Sequence, residues 1–394
     1  MTVQSTIDQA LPRVAALRHR LHQIPELGYE EFKTAAAIRA ELDALGIAHV
    51  DGVPDAPTAT VAWIGDIRKP CVALRADIDA LPILERTGLP YASTHEGRMH
   101  ACGHDGHTAT LIGTAGLLKS MASDLRVCVK FIWQPAEEGG GGAERLVDAG
   151  VLDGQLGPPV RAIFGLHGWP GLKVGTVATK PGTLLAATDV FAATFTGRGC
   201  HGAYPHLGID PIVTACETVL NLQQFVSREF DPTDSAVVTI GTIHSGTATN
   251  VIPDTATIEG TARTLHSAGR KQIREALERR CAGIAAANNC EMRFDWTEGY
   301  PPTVNDPQMS EYVAATAKSL LGPEYFVPVS RPSMGGEDFA YYLEKIPGCF
   351  FLVGVEPADK QTYPGLHSDH YDFTDGALAV GMRMFVELVK GFRA

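Results

Sequence analysis

No apolar run in this chain approaches the roughly 20 residues that span a bilayer, and the first residues show no basic stretch followed by an apolar one, so nothing marks it for a membrane or for export. Positive charge is in short supply. Lys and Arg number 33 against 45 Asp and Glu, a formal net charge of −12, and without a basic footprint neither nucleic acid nor an anionic membrane is an expected partner. The eight cysteines, at 71, 102, 128, 200, 216, 281, 290 and 349, lack the close pairing of a disulfide framework, which points to reduced thiols and a cytoplasmic location. There is no His-Glu-x-x-His pattern and no Gly-x-Ser-x-Gly elbow, so neither a zincin nor a serine hydrolase has its motif.

What is present reads as an ordinary globular chain, with 45% hydrophobic and 20% charged residues. At 394 residues it exceeds what one hydrophobic core usually supports, and two domains are expected. Apolar spacing predicts helices over Thr6–His22, with Pro12 tolerable only near the first turn, and over Thr34–Leu45, closed by Gly46. Short apolar strands at 58–64, 71–74, 127–133, 162–166 and 349–355 run into polar loops, with helices at 108–119 and 142–149 between them. Polar residues gathered beyond the carboxyl ends of buried strands describe an α/β fold with its chemistry along one sheet edge. After about Pro181 the pattern changes to alternating strands at 188–195, 235–244 and 251–263 with helices at 211–228 and 267–288, the latter capped by Ser267. The expected architecture is a catalytic α/β domain, a mostly central sheet flanked by helices, formed by residues 1–184 and 299–394, with an inserted α+β domain at 185–298.

Chemistry concentrates in Met99–Thr108, where His100, Cys102, His104, Asp105 and His107 stand within eight positions. A Cys and a His separated by one residue put soft and borderline donors close enough to share metal ions. Glu137 and Glu138 close an apolar strand and precede four glycines. Adjacent acids commonly mean a solvated surface. On an extended segment, however, their carboxylates diverge, so that one can bind metal while the other faces water. His167 in Gly-Leu-His-Gly and His367 in Gly-Leu-His-Ser are each unremarkable as turn histidines. Together with Cys102, His104 and Glu138 they make five donors, a complement for two first-row metals about 3.5 to 4 Å apart.

The segments Arg75–Pro82 (RADIDALP), His100–His107 (HACGHDGH), Gln134–Gly139 (QPAEEG), Thr249–Pro253 (TNVIP) and Leu366–Ser368 (LHS) occur in the order of the aminoacylase/dimetal carboxypeptidase family. The chain resembles its amidohydrolase branch, which includes hippurate hydrolases, N-acyl-L-amino-acid amidohydrolases and auxin-conjugate hydrolases. The resemblance implies Cys102, His104, Glu138, His167 and His367 as metal ligands, Cys102 bridging two divalent ions. It implies Glu137 as the general base that takes a proton from the attacking water, and Asp79 as a residue orienting a ligand. The inserted domain would be a dimerising lid, so that a homodimer or a dimer-based homotetramer is implied. In the lid, His201 would hold the substrate oxyanion, in its own site or a partner's, while Asn250 and Arg263 would contact substrate. A planar guanidinium suits a free carboxylate. Read only as residues, Asn250 could equally form a turn and Arg263 a surface charge.

The implied reaction is metal-dependent hydrolysis of the amide bond of N-acyl amino acids. Two features depart from the wider family: Asp77-Ile-Asp79 replaces a His-x-Asp motif, and Cys102 replaces an aspartate bridge. Both weigh against an aminopeptidase or dipeptidase, and a thiolate leaves zinc, manganese, cobalt and nickel all as candidates. The alternatives are a dimetal dipeptidase or carboxypeptidase and a non-catalytic metal- or ligand-binding protein, which would have no use for Glu137. Gly335–Phe339 also resembles a family segment, with no role assigned to Glu337 or Asp338.

Overall fold

The Cys71–Asp77 and Cys128–Gln134 segments are buried along their whole length, the pattern of strands covered on both faces. In the computed structural model, which describes residues 3–393, they lie inside an eight-stranded sheet. From edge to edge its order is His49–Val53, Ala56–Ile64, Cys128–Gln134, Cys71–Asp77, Val160–Lys173, Gly348–Glu356, Val177–Thr179 and Phe326–Pro328. The four central strands, from Cys128–Gln134 to Gly348–Glu356, are mutually parallel. The helices Val3–His22, His104–Ser120 and Gly376–Gly391 contribute Val14, Leu17, Leu111, Leu118, Met382 and Phe385 to the same core as Leu74, Phe131 and Phe164.

The chain divides into two compact units. One comprises the chain up to Leu184, Val304–Arg331 and the chain from Asp338 onward; the other comprises Leu185–Thr303 and Pro332–Glu337. The second unit therefore runs past residue 298 and takes in a short segment from far downstream. Four of its strands form one antiparallel sheet, in the order Ala236–Ser245, Thr255–Thr264, Ala187–Thr196 and Glu291–Glu298. The helices Pro211–Arg228 and Ser267–Ala287 enclose a separate core with Phe191, Phe195, Leu222, Phe225, Ile258 and Leu277.

Five local expectations need correction. The strand expected over 251–263 is interrupted at Pro253 and Asp254, leaving Val251–Ile252 and Thr255–Thr264 in different sheets, since a proline has no N–H to give a ladder. The first helix spans Val3–His22, which puts Pro12 in its interior rather than its first turn. Burial of Ile7, Val14, Leu17 and Leu21 outweighs the roughly 3 kcal/mol that an interior proline costs. The helix expected from Thr108 begins at His104, after Gly103 in a left-handed conformation. The strand expected to stop at Leu166 continues to Lys173, so His167 is a strand residue and not a turn residue. Finally, His266, not Ser267, occupies the N-cap of the Ser267–Ala287 helix, and no side-chain cap is made.

Candidate metal centre

The sheet reverses its winding at Cys71–Asp77: the next strand in sequence, Cys128–Gln134, lies on one side of it and the one after, Val160–Lys173, on the other. At such a switch point the connections diverge and leave a crevice beyond the carboxyl ends. Asp79 follows the first strand, Glu137 and Glu138 follow the second, and His167 lies within the third. His104 enters from the first turn of its helix. Gly103 makes this entry possible, since a Cβ there would come 2.9 Å from the Tyr371 hydroxyl at φ +88°. His367 arrives on a loop at φ +64°, its N–H bonded to the Ala101 carbonyl at 2.8 Å. The glycine run is equally constrained. A Cβ on Gly142 would lie 1.8 Å from the Pro135 carbonyl oxygen, so the chain can fold tightly under the two glutamates only without a side chain there.

The five donors expected from sequence form two triads that share Cys102. Ligand atoms of Cys102, His104 and His167 lie within 4.8 Å of one another, as do those of Cys102, Glu138 and His367. Cys102 Sγ is 3.4 Å from His167 Nε2, and Glu138 Oε1 is 3.2 Å from His367 Nε2. The opposite ring nitrogens are already engaged: His104 Nδ1 pairs with Asp79 Oδ1 at 3.0 Å and His167 Nδ1 donates to the Gly168 carbonyl at 2.8 Å. Such contacts fix the ring and turn its other nitrogen towards a metal. Asp79 also accepts the Glu138 N–H at 2.9 Å on its second oxygen, so one carboxylate holds a donor of each triad.

A pair of divalent cations fits these residues. His104 Nε2 and Glu138 Oε1 are buried without a hydrogen-bond partner, the latter in spite of its nearness to His367. Buried acceptors aimed at one another are costly unless a cation lies between them. The electrostatics agree. Burial, reinforced by Glu138 and Glu137, pushes the Cys102 thiol well above its ordinary range, and burial drives His167 well below its own. His104 is different: burial opposes its charge, but Asp77 and Asp79 push it up to about 10. A coordinating cation reverses such preferences, deprotonating the thiol and keeping the imidazoles neutral. Glu137 lies beside the centre, its carboxylate within 4.8 Å of donor atoms of His104 and Glu138, and its Oε1 accepts the Asp338 N–H at 3.4 Å.

His201, Asn250 and Arg263 belong to the second unit. His201 pairs with Val251 across a short two-stranded sheet, Asn250 is exposed on the turn before it, and Arg263 lies half-buried on Thr255–Thr264. Several residues around the metal donors were not assigned from sequence. His107 bonds Asp77 and the Gly168 N–H. The Glu31 carboxylate accepts the Ala136 N–H at 2.9 Å and the Thr58 hydroxyl at 2.7 Å, steadying Ala136 at φ +55° just before the glutamates. Arg75 and Asp77 alternate, and that spacing of two was the available signal that they share a strand face. No comparable signal marks Glu31, which is remote in sequence.

A model of peptidase family M20/M25/M40 matches residues 73–391. "IAA-amino acid hydrolase ILR1-like 4" of Arabidopsis thaliana is 40% identical over 379 residues, covering 95% of this chain and 84% of the relative. N-acetyl-L-cysteine deacetylase of Bacillus subtilis is 43% identical over 370 residues, covering 93% and 85%. Among solved structures, the YXEP protein of Bacillus subtilis, described as a dinuclear metal binding peptidase of the M20 family, is 39% identical with a TM-score of 0.83, over 97% of this chain and 98% of that one.

Proposed function

Because the chain belongs to peptidase family M20/M25/M40 and is a metal-dependent amidohydrolase, we propose that it hydrolyses N-acyl amino acids, with Glu137 as the general base beside the two Cys102-sharing triads. That juxtaposition carries the reading. Cys102, His104 and His167 would hold one divalent ion and Cys102, Glu138 and His367 the other, with zinc, manganese, cobalt or nickel suited to the mixed thiolate, imidazole and carboxylate set. When bound, the ions acidify water and polarise the amide carbonyl. Glu137 takes the proton of the attacking water and delivers it to the leaving nitrogen. The C–N bond breaks, and the products are a carboxylic acid and a free amino acid. Asp79 keeps His104 and the Glu138 backbone in place during these steps. From the second unit, His201 donates to the developing oxyanion, Asn250 contacts the substrate, and Arg263 binds its free carboxylate. The names of the relatives, which specify an IAA-amino acid hydrolase and an N-acetyl-L-cysteine deacetylase, support an acylated amine as substrate.

A homodimer formed through the second unit is part of the same proposal. It is supported by the exposed apolar side chains of Val213 and Leu220 on Pro211–Arg228, and light scattering of the purified protein would test it. Eight free thiols support a reducing compartment.

The test of the reaction is amino-acid release from N-acetyl-cysteine, N-acetyl-methionine, hippurate and a dipeptide by metal-stripped protein reloaded with each ion in turn. Turnover of the N-acyl substrates is expected, and Glu137→Gln should lower kcat about 10²- to 10⁴-fold with both ions still bound. Cleavage of the dipeptide alone would reject the reading in favour of a dipeptidase.

A further inference from the structure

His107 is fully buried on the His104–Ser120 helix, next to the metal ligands, and takes no part in the proposed reaction. Both of its ring nitrogens are engaged. Nε2 accepts the Gly168 N–H at 2.8 Å, so it carries no proton, and Nδ1 therefore donates to Asp77 Oδ1 at 2.6 Å. Asp77 is fixed in turn through its other oxygen by Arg75 Nη1 at 2.6 Å. The ring is locked in one tautomer and one orientation.

Sheet register explains why Gly168 needs this acceptor. Val160–Lys173 pairs with Cys71–Asp77 only as far as Arg75 opposite Gly165, whereas on its other edge it stays paired with Gly348–Glu356 through Val353 opposite Gly168. Beyond Gly165 that pairing has ended, and Cys71–Asp77 itself stops two residues past Arg75. A buried N–H left there without a partner would cost about 1 to 3 kcal/mol, and His107 supplies the missing acceptor. The same residue's carbonyl accepts His167 Nδ1 at 2.8 Å and leaves His167 Nε2 facing Cys102 Sγ at 3.4 Å. Gly168 thus takes hold of the ligand ring with one polar group while His107 grips the other. No side chain is possible at this position, where a Cβ would come within 2.6 Å of Phe373 and 2.8 Å of Val355.

We infer that His107, held by Asp77, is a positioning residue for His167: by accepting the Gly168 N–H it sets the backbone that aims the His167 ring. The inference rests on the ligand set proposed above. It concerns one of the two ions, because Glu138 and His367 have no contact with Gly168 among the hydrogen bonds of the described residues.

The experiment is calorimetric titration of metal-stripped protein with zinc, for wild type, His107→Leu and His107→Gln, with thermal melts of each metal-free form. Leucine fills the space without accepting a hydrogen bond, whereas the glutamine amide oxygen can accept the Gly168 N–H. Wild type should bind two ions. His107→Leu should lose about 10- to 100-fold in affinity at one site and keep the other, and His107→Gln should recover most of the loss. Should leucine prevent folding, His107→Asn, too short to reach Gly168, carries the same expectation. Two sites of wild-type affinity in a folded His107→Leu protein would overturn the inference, as would equal weakening of both sites or a glutamine variant no better than leucine. Fewer than two ions on wild type would overturn the ligand set and the inference with it, whereas missing turnover with two ions bound would count against the proposed reaction alone.

Discussion

A histidine buried between two carboxylates is more stable charged than neutral. His22 stands in that position, with Nδ1 2.9 Å from Asp105 Oδ2 and Nε2 3.3 Å from Glu85 Oε1. Burial works against its charge, but Asp105 and Glu85 prevail and push it up to about 9 from an ordinary value of 6.5. Because the folded value lies above the unfolded one, the stabilisation is complete below about pH 6.5 and is lost as pH rises through 9. In urea denaturation, wild-type stability should fall across that window by on the order of 3 kcal/mol more than that of His22→Gln. Equal slopes in the two proteins would show that the proton is not held. A second residue-scale expectation concerns Arg263. If its guanidinium binds the substrate carboxylate, Arg263→Ala should raise KM roughly 10- to 100-fold for N-acyl amino acids. KM for the corresponding amino-acid amides should change little; an equal rise for both would assign Arg263 another task.

Among the elements, the parallel strand ends are joined by one buried cation. Besides Asp77, Arg75 donates Nε to Gln134 Oε1 and Nη2 to Asp338 Oδ1, each at 2.8 Å. Asp338 also accepts from Gln134 Nε2 and from the N–H of Ala143 in the first turn of the Gly142–Asp148 helix. Burial nevertheless pushes the Asp338 carboxyl up to about 6, with Arg75 opposing the shift. Removing the guanidinium would strand Asp77 and Asp338 as buried, uncompensated acids, so Arg75→Ala should cost about 3 to 5 kcal/mol. A thermal melt within a degree or two of wild type would refute that weight. Asp338 had no role assigned from sequence; here it anchors the backbone N–H that reaches Glu137.

For the whole molecule, two separate cores predict unequal responses to metal. Every proposed ligand lies in the first unit, whose core contains Leu74, Phe131 and Phe164, while the second unit has its own core around Phe191 and Phe195. An ion present at 100 times its dissociation constant stabilises the state that binds it by about 2.7 kcal/mol. Scanning calorimetry with a chelator should therefore lower the transition of the first unit and leave that of the second in place, with recovery on adding metal. A uniform shift of all the heat absorption would mean that the ions stabilise both units.

The central strands, the helices that flank them up to Ala149, the change of pattern near Pro181 and the cluster from Cys102 to His107 could be read from the chain, because each is carried by local periodicity or local composition; the helices Pro307–Leu321 and Gly376–Gly391 were not among the expected elements. The five candidate donors could be read as well, through motifs short enough to be seen whole. Element boundaries were harder. No local pattern marks His104 as the start of its helix, and the length of Val160–Lys173 depends on neighbours that no local pattern names. What only the tertiary structure decided is how the donors are held: Asp79 across two ligands, Glu31 under Ala136, and His107 on Gly168. These contacts join residues from 25 to 105 positions apart. They arise where strand pairing ends and leaves buried polar groups to be satisfied, a condition set by sheet register and not by any stretch of sequence.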